Sequence, residues 1–261
     1  MKELLDNNKL VSKALTVSGK TVKENLINVN CKDRKVIYSY SKPLKENAGF
    51  LVLQSNFFDT AIMKMSVVSK EFKERYLSDE KKPMEFTVRA IVFDGPEHYH
   101  NEINNPELKI DENCILMIRG CGPIGYPGAA EVVNMQPPDY LLKKGITSLP
   151  CLGDGRQSGT SESPSILNVS PEAAAGGGLA IIKNNDLIKV DLNNKRVDLI
   201  LDDSEIKSRF NELKFDYPSN QTPWQELARE YTGQLGEGAC LDLKEKYINV
   251  AESKGIPRDN H

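Results

Sequence analysis

Cys114-Ile115-Leu116-Met117-Ile118 is an unbroken apolar run. A run so short and continuous reads as a strand buried on both faces. It leads into Arg119-Gly120-Cys121-Gly122-Pro123-Ile124-Gly125-Tyr126-Pro127-Gly128, a glycine–proline loop. Toward the N-terminus, Phe86-Thr87-Val88-Arg89-Ala90-Ile91-Val92-Phe93 alternates polar and apolar residues and stops at Asp94-Gly95-Pro96. Before that, residues 36–40, 49–53 and 61–68 read as short strands, and Ser69 to Leu77 as a helix with Phe72 and Tyr76 on one side. Toward the C-terminus, a helix is expected from about Ala129 to Lys144. Residues 187–192 and 196–201 read as a hairpin turning at Asn193-Asn194-Lys195. Asp203 to Lys214 reads as a charged helix with Asp203 and Ser204 as cap candidates, and the tail from Thr222 has weak periodicity. Residues 1 to about 30 read as helical and polar, with a thin stripe of Leu4, Leu5, Leu10 and Val11 and a cap at Thr21.

Many short strands with a few helices between them predict an α+β fold built on a closed or nearly closed sheet with flanking helices. Long helices do not alternate regularly with the strands, which argues against a doubly wound parallel sheet. The expected division is a helical lead over 1–35, packed against another domain, and a barrel-like domain over 36–261.

Composition narrows the function. The chain has 261 residues, 39% apolar and 27% charged, with a formal net charge of −3 and no dense Lys/Arg block. Non-specific nucleic-acid binding has little electrostatic support. No run approaches the roughly 18 apolar residues of a spanning helix, so no membrane partner is expected. The five cysteines (Cys31, Cys114, Cys121, Cys151, Cys240) are scattered and form no C-x-x-C pair. A reduced, cytoplasmic setting fits them. His98-Tyr99-His100 reads as a surface loop before it reads as a metal site, because no third ligand is near in sequence.

The chemistry concentrates in Gly153-Asp154-Gly155-Arg156-Gln157-Ser158-Gly159-Thr160-Ser161-Glu162-Ser163-Pro164-Ser165. This loop is rich in donors that can cradle an anion. Ser158 is either a turn serine or, with a cation nearby, a base or nucleophile. Arg156 either clamps a carboxylate or braces the loop. Asp154, between two glycines, reads as a turn former. Glu131, expected in the first turn of the helix after the glycine–proline loop, is either a partner of the helix dipole or a ligand for a hard cation. No Gly-x-Ser-x-Gly elbow and no histidine accompany Ser158, so a serine hydrolase has little support. Ala173-Ala174-Ala175-Gly176-Gly177-Gly178 reads as a place of close backbone packing.

These stretches resemble the C-terminal part of the dihydroxy-acid and phosphogluconate dehydratase family, most of all its sugar-acid branch, the arabinonate and xylonate dehydratases. The matching segments are residues 122–138, 153–160, 163–168, 170–178, 221–226 and 255–261. The resemblance implies a barrel-like swivelling domain similar to the mobile domain of aconitase. It implies a hydro-lyase that converts a sugar acid to its 2-keto-3-deoxy acid, with an iron–sulfur cluster and Mg²⁺. By motif match Ser158 is the base, Thr160 a neighbouring active-site hydroxyl and Glu131 a metal ligand; Arg156, Gly159 and Ser158 are the expected substrate contacts. The cluster ligands are expected from an N-terminal dehydratase domain absent from this chain, so the isolated chain is expected to be inactive. The complete enzyme is expected to be a homo-oligomer. Glu162 departs from the family pattern, where a small residue is usual. The alternative is a non-catalytic domain that binds a sugar acid or a protein partner through the 153–165 loop.

Overall fold

The structure, a computed structural model, describes residues 1–126, 128–157, 164–214, 219 and 222–241. The chain divides into two compact units, Met1–Ala48 and Gly49–His261.

The first unit holds two five-residue helices, α1 (Lys2–Asp6) and α2 (Val22–Leu26). Thr21 caps α2 as expected, in a reciprocal box: its hydroxyl accepts the Glu24 N–H at 3.2 Å, and Glu24 Oε2 accepts the Thr21 N–H at 2.7 Å. Between these helices the chain runs in turns, so helicity over 1–30 is less extensive than expected. Residues 36–40, expected as a strand, are irregular. β-branched and aromatic content raises strand propensity, but a strand needs a neighbour and a face to bury. This unit supplies neither, for none of its residues is buried.

The second unit is built on eight strands: β1 (Phe50–Leu53), β2 (Thr60–Lys64), β3 (Glu85–Asp94), β4 (Cys114–Arg119), β5 (Cys151–Gly153), β6 (Ser165–Ser170), β7 (Leu187–Asp191) and β8 (Arg196–Leu199). They form one mixed sheet in the order β1-β2-β6-β5-β4-β3-β7-β8. The four central strands β6, β5, β4 and β3 run parallel, and the antiparallel pairs β1/β2 and β7/β8 flank them. The two edges meet. Gln54, just past β1, donates its N–H to Lys195 O and accepts the Val197 N–H, both at 2.9 Å. Asn56 extends the seam by donating Nδ2–H to Leu199 O at 2.8 Å and accepting the Leu199 N–H at 2.9 Å. The sheet is therefore a nearly closed barrel whose edges are largely consumed. The expected α+β class with a barrel-like sheet stands.

Closure explains the apolar runs. On β3, Val88, Ala90 and Val92 point into the barrel, while Ile91 and Phe93 point outward into a second core. On β4, Ile115 and Met117 point inward, and Cys114, Leu116 and Ile118 outward. The outer core is roofed by α4 (Gly95–Glu102), α5 (Asp139–Leu142) and the chain between them, including Val133 and Leu149. Each large side chain so buried contributes about 1.5–3 kcal/mol.

The remaining helices are α3 (Lys70–Tyr76), α6 (Asp203–Asn211) and α7 (Pro223–Tyr231). Helix α3 buries Phe72 and Tyr76 on one side, matching the sequence reading, and Ser69 caps it by accepting the Phe72 N–H. The cap position of α6 is Asp202, one residue before the expected candidates. The expected long helix from Ala129 to Lys144 is a correction: α5 alone is helical there. Pro137 and Pro138 lack N–H groups and bias the residues before them toward extended backbone. Ala129 has φ +45°, outside the right-handed helical region. The segment after it instead pairs with the β5 loop: Ala130 O accepts the Arg156 N–H at 2.7 Å, and the Val133 N–H donates to Arg156 O at 3.1 Å.

Candidate active site

Three connections leave the carboxyl ends of neighbouring parallel strands. One follows β4 from Gly120, one follows β5 from Asp154, and one follows β6 from Pro171. Parallel strands place ligand sites at such ends, because the connecting loops gather there.

A buried carboxylate pins these connections together. Asp154 is fully buried, and its Oδ2 accepts the N–H groups of Gly120 and Ala173, each at 2.9 Å. Its Oδ1 accepts the Cys121 N–H at 2.9 Å. One side chain thus ties the ends of β4, β5 and β6. Glu172, also fully buried, holds the next part of the loop: Oε1 accepts the Ile124 N–H and Oε2 the Gly125 N–H, both at 3.0 Å. Gln234 completes this carboxylate, donating Nε2–H to Oε1 at 3.0 Å and accepting the Glu172 N–H at 2.8 Å. Burial pushes both carboxyls above their ordinary range, and the N–H donors oppose the shift. Gly122 is required for this arrangement, since a Cβ there would overlap the Glu172 carboxylate. Arg119 braces the other side, with Nη1 donating to Leu179 O, Ala180 O and Ile182 O at 2.9–3.1 Å.

Above this floor the loop folds back. Gly122 O accepts the Ala129 N–H at 2.8 Å and Cys121 O the Ala130 N–H at 3.3 Å. Glu131 follows immediately, in a bend and not at a helix N-terminus, so the helix-dipole reading fails. Arg156 comes from the β5 side and donates Nε–H to Ala129 O at 2.6 Å. Its Nη1 lies 3.7 Å from Glu131 Oε1. Arg156 therefore both braces the loop and meets the candidate metal ligand. Both side chains are about half exposed, and such a pair is held by ~0–1 kcal/mol, little enough for a ligand to reorganise. Glu131 also lines a cleft of about 480 Å³ with Tyr99, His100, Asn104, Asn134 and Asp139. His98 and His100 sit on α4 and not in a loop, and His98 Nδ1 accepts the Asp94 N–H at 3.0 Å.

Ser158, Gly159, Thr160 and Glu162 lie outside the described residues. Of the sequence candidates, the structure brings together Glu131 and Arg156. Asp154 is more than a turn former, and Glu172 was missed altogether; an acidic residue beside a glycine run was the available signal. Asn168, at φ +57°, donates its N–H to Gly155 O at 3.0 Å, and its buried Oδ1 has no hydrogen-bond partner among the described residues.

Among the described residues no three His, Cys, Asp or Glu are grouped to hold a metal ion. Burial pushes the Cys114 thiol up to about 11 and raises Cys121 as well, and among the described residues neither has the grouped ligands that a cluster needs. For Mg²⁺, Asp154 and Glu172 have their oxygens engaged by N–H donors. Glu131 fits one ligand of a shell that substrate, water and other protein oxygens would complete. No described helix is long and apolar enough to cross a membrane.

Residues 35–239 match the family model for the dihydroxy-acid/6-phosphogluconate dehydratase C-terminal domain. The chain is 54% identical over 259 residues to the D-xylonate dehydratase of Caulobacter vibrioides, covering 99% of this chain and 43% of that protein. It is 34% identical over 262 residues to the L-arabinonate dehydratase of Rhizobium leguminosarum, again covering 43% of that protein. To the dihydroxy-acid dehydratase of Acetivibrio thermocellus it is 34% identical over 246 residues, 94% of this chain and 42% of that protein. The chain thus spans less than half the length of these relatives. It belongs to the dihydroxy-acid/6-phosphogluconate dehydratase family and corresponds to that family's C-terminal portion.

Proposed function

We propose that this chain is the C-terminal catalytic half of a sugar-acid dehydratase, a hydro-lyase that converts an aldonate to its 2-keto-3-deoxy acid. The observation that carries the reading is Glu131 against Arg156 at the carboxyl ends of β4 and β5, two residues before Ser158 in the chain. An acid with hydroxyls at C2 and C3 loses the C2 proton and the C3 hydroxide, leaving an enol that ketonises. Ser158 takes the C2 proton. Arg156 and the Gly159 backbone hold the substrate carboxylate, and Thr160 bonds a neighbouring hydroxyl. Mg²⁺ at Glu131 would supply positive charge that acidifies the proton α to the carboxylate. The same field would lower the pKa of Ser158, whose unaided hydroxyl is too weak an acid.

An iron–sulfur cluster would be held by an N-terminal dehydratase domain. That domain is the proposed partner. The barrel would swivel against it as the mobile domain of aconitase does, and the complete enzyme would be a homo-oligomer. The five free cysteines suit a reducing, cytoplasmic setting.

The test is Ser158→Ala in the intact dehydratase carrying this chain, assayed with D-xylonate and L-arabinonate. Loss of a positioned base is expected to cost about 10²–10⁴-fold in kcat. Turnover within about twofold of wild type would remove Ser158 as the base.

A further inference from the structure

Among the described residues neither Asp154 nor Glu172 forms an ion pair. Two buried carboxylates without a counter-charge are costly unless hydrogen bonds repay the lost hydration. Here the repayment is concentrated on one loop. Of the five backbone N–H groups between Gly120 and Gly125 (Pro123 has none), four donate to these two side chains: Gly120 and Cys121 to Asp154, Ile124 and Gly125 to Glu172. No neutral side chain of similar size accepts as many donors with both oxygens. The carbonyls of the same segment then face the site. Cys121 O and Gly122 O accept the N–H groups of Ala130 and Ala129, whose own carbonyls accept from Arg156.

We propose that Asp154 and Glu172 are positioning residues of the candidate site, a two-carboxylate clasp that fixes the loop after β4 so that Glu131 is presented beside Arg156. The proposal rests on the reading that Glu131 serves dehydration. The clasp touches neither substrate nor metal; it acts through the loop. A pair kept for stability alone would not need to direct four of its six accepted hydrogen bonds to the short loop that leads to Glu131.

The test uses the intact dehydratase with D-xylonate and Mg²⁺. Glu172→Gln and Asp154→Asn are made singly and in a Glu131→Gln background. Each single variant is expected to lower kcat/KM by about tenfold or more, the scale on which a misplaced catalytic group is felt, and to raise the Mg²⁺ concentration for half-maximal rate. In the Glu131→Gln background the further loss should shrink to about twofold or less, because the group being positioned is gone. Equal losses in both backgrounds, or no loss in either, overturn the proposal.

Hydrogen exchange supplies a readout that does not depend on turnover. Peptides covering residues 120–131 should exchange faster in both variants, while those covering β7 and β8 keep wild-type protection. Unchanged exchange at 120–131, or equal loosening throughout, also overturns the clasp. If Asp154→Asn does not fold, the milder Glu172→Gln decides the matter, since its carboxamide oxygen can still accept. A wild-type enzyme that exchanges as expected but dehydrates no aldonate would contradict the proposed function and leave the clasp standing.

Discussion

Two aspartates at strand ends do the same job by opposite means. Asp191 closes β7 and clasps its own turn: Oδ1 accepts the Asn194 N–H at 2.9 Å, and Oδ2 accepts Asn194 Nδ2–H at 2.8 Å. Its partner is three residues away. Asp154 follows β5 and accepts from Gly120, Cys121 and Ala173, which lie 34, 33 and 19 residues away. The first is a local instruction that shapes a hairpin as it forms. The second exists once three strands have come together, so it reports the tertiary fold and fixes the site. Local clasps make elements; remote clasps make active sites.

The largest break in this comparison should come from Asp154→Ala. It leaves three buried N–H groups without an acceptor, at about 1–3 kcal/mol each, so a loss of about 3 kcal/mol or more is expected in denaturant unfolding. A loss under about 1 kcal/mol would mean that water or relaxation replaces the clasp, and that the two aspartates differ less than their geometry says.

An intermediate effect separates them by sign. Hydrogen bonds from Asn194 hold the Asp191 carboxyl below the ordinary 3.8, so its stabilisation is present above that pH and lost as pH falls through its lowered value. Burial holds Asp154 above 3.8, so its contribution is fullest below that pH and declines as pH rises through its raised value. Stability relative to Asp191→Asn should therefore shrink on acidification, and stability relative to Asp154→Asn should grow. Parallel trends in the two pH series would show that burial does not dominate at Asp154.

The smallest effect should come from Asn194→Ala, which removes one side-chain hydrogen bond from the hairpin while its backbone N–H still donates. About 1 kcal/mol is expected, with the fold and the site intact. A collapse of activity in this variant would show that the far hairpin is coupled to the site.

The same contrast explains what the amino-acid order revealed. The hairpin at Asn193–Lys195, the cap at Thr21 and the doubly buried strand at Cys114–Ile118 each depend on residues within a few positions of one another, and each was legible. The barrel class followed from the number and shortness of the strands. The segment from Ala129 to Pro138 departs from the expected helix because its partner is Arg156, supplied by another strand's loop, and because two prolines stand at its end. Residues 36–40 have the composition of a strand but no neighbouring strand, which composition cannot reveal. Glu131 and Arg156 were candidates from residue type and loop position, and Glu131 from motif resemblance as well, but their 3.7 Å approach could not have been derived from spacing. Glu172 was missed because its role lies in distant partners: Ile124 and Gly125 are 48 and 47 residues away.

The most direct test of the account is a crystal structure of the intact dehydratase with Mg²⁺ and a bound aldonate. The account predicts the sugar-acid carboxylate end enclosed by Arg156, Ser158 and Glu131 above the Asp154–Glu172 floor. An aldonate bound away from the carboxyl ends of β4 and β5, with Glu131 and Ser158 facing different sides, would contradict it.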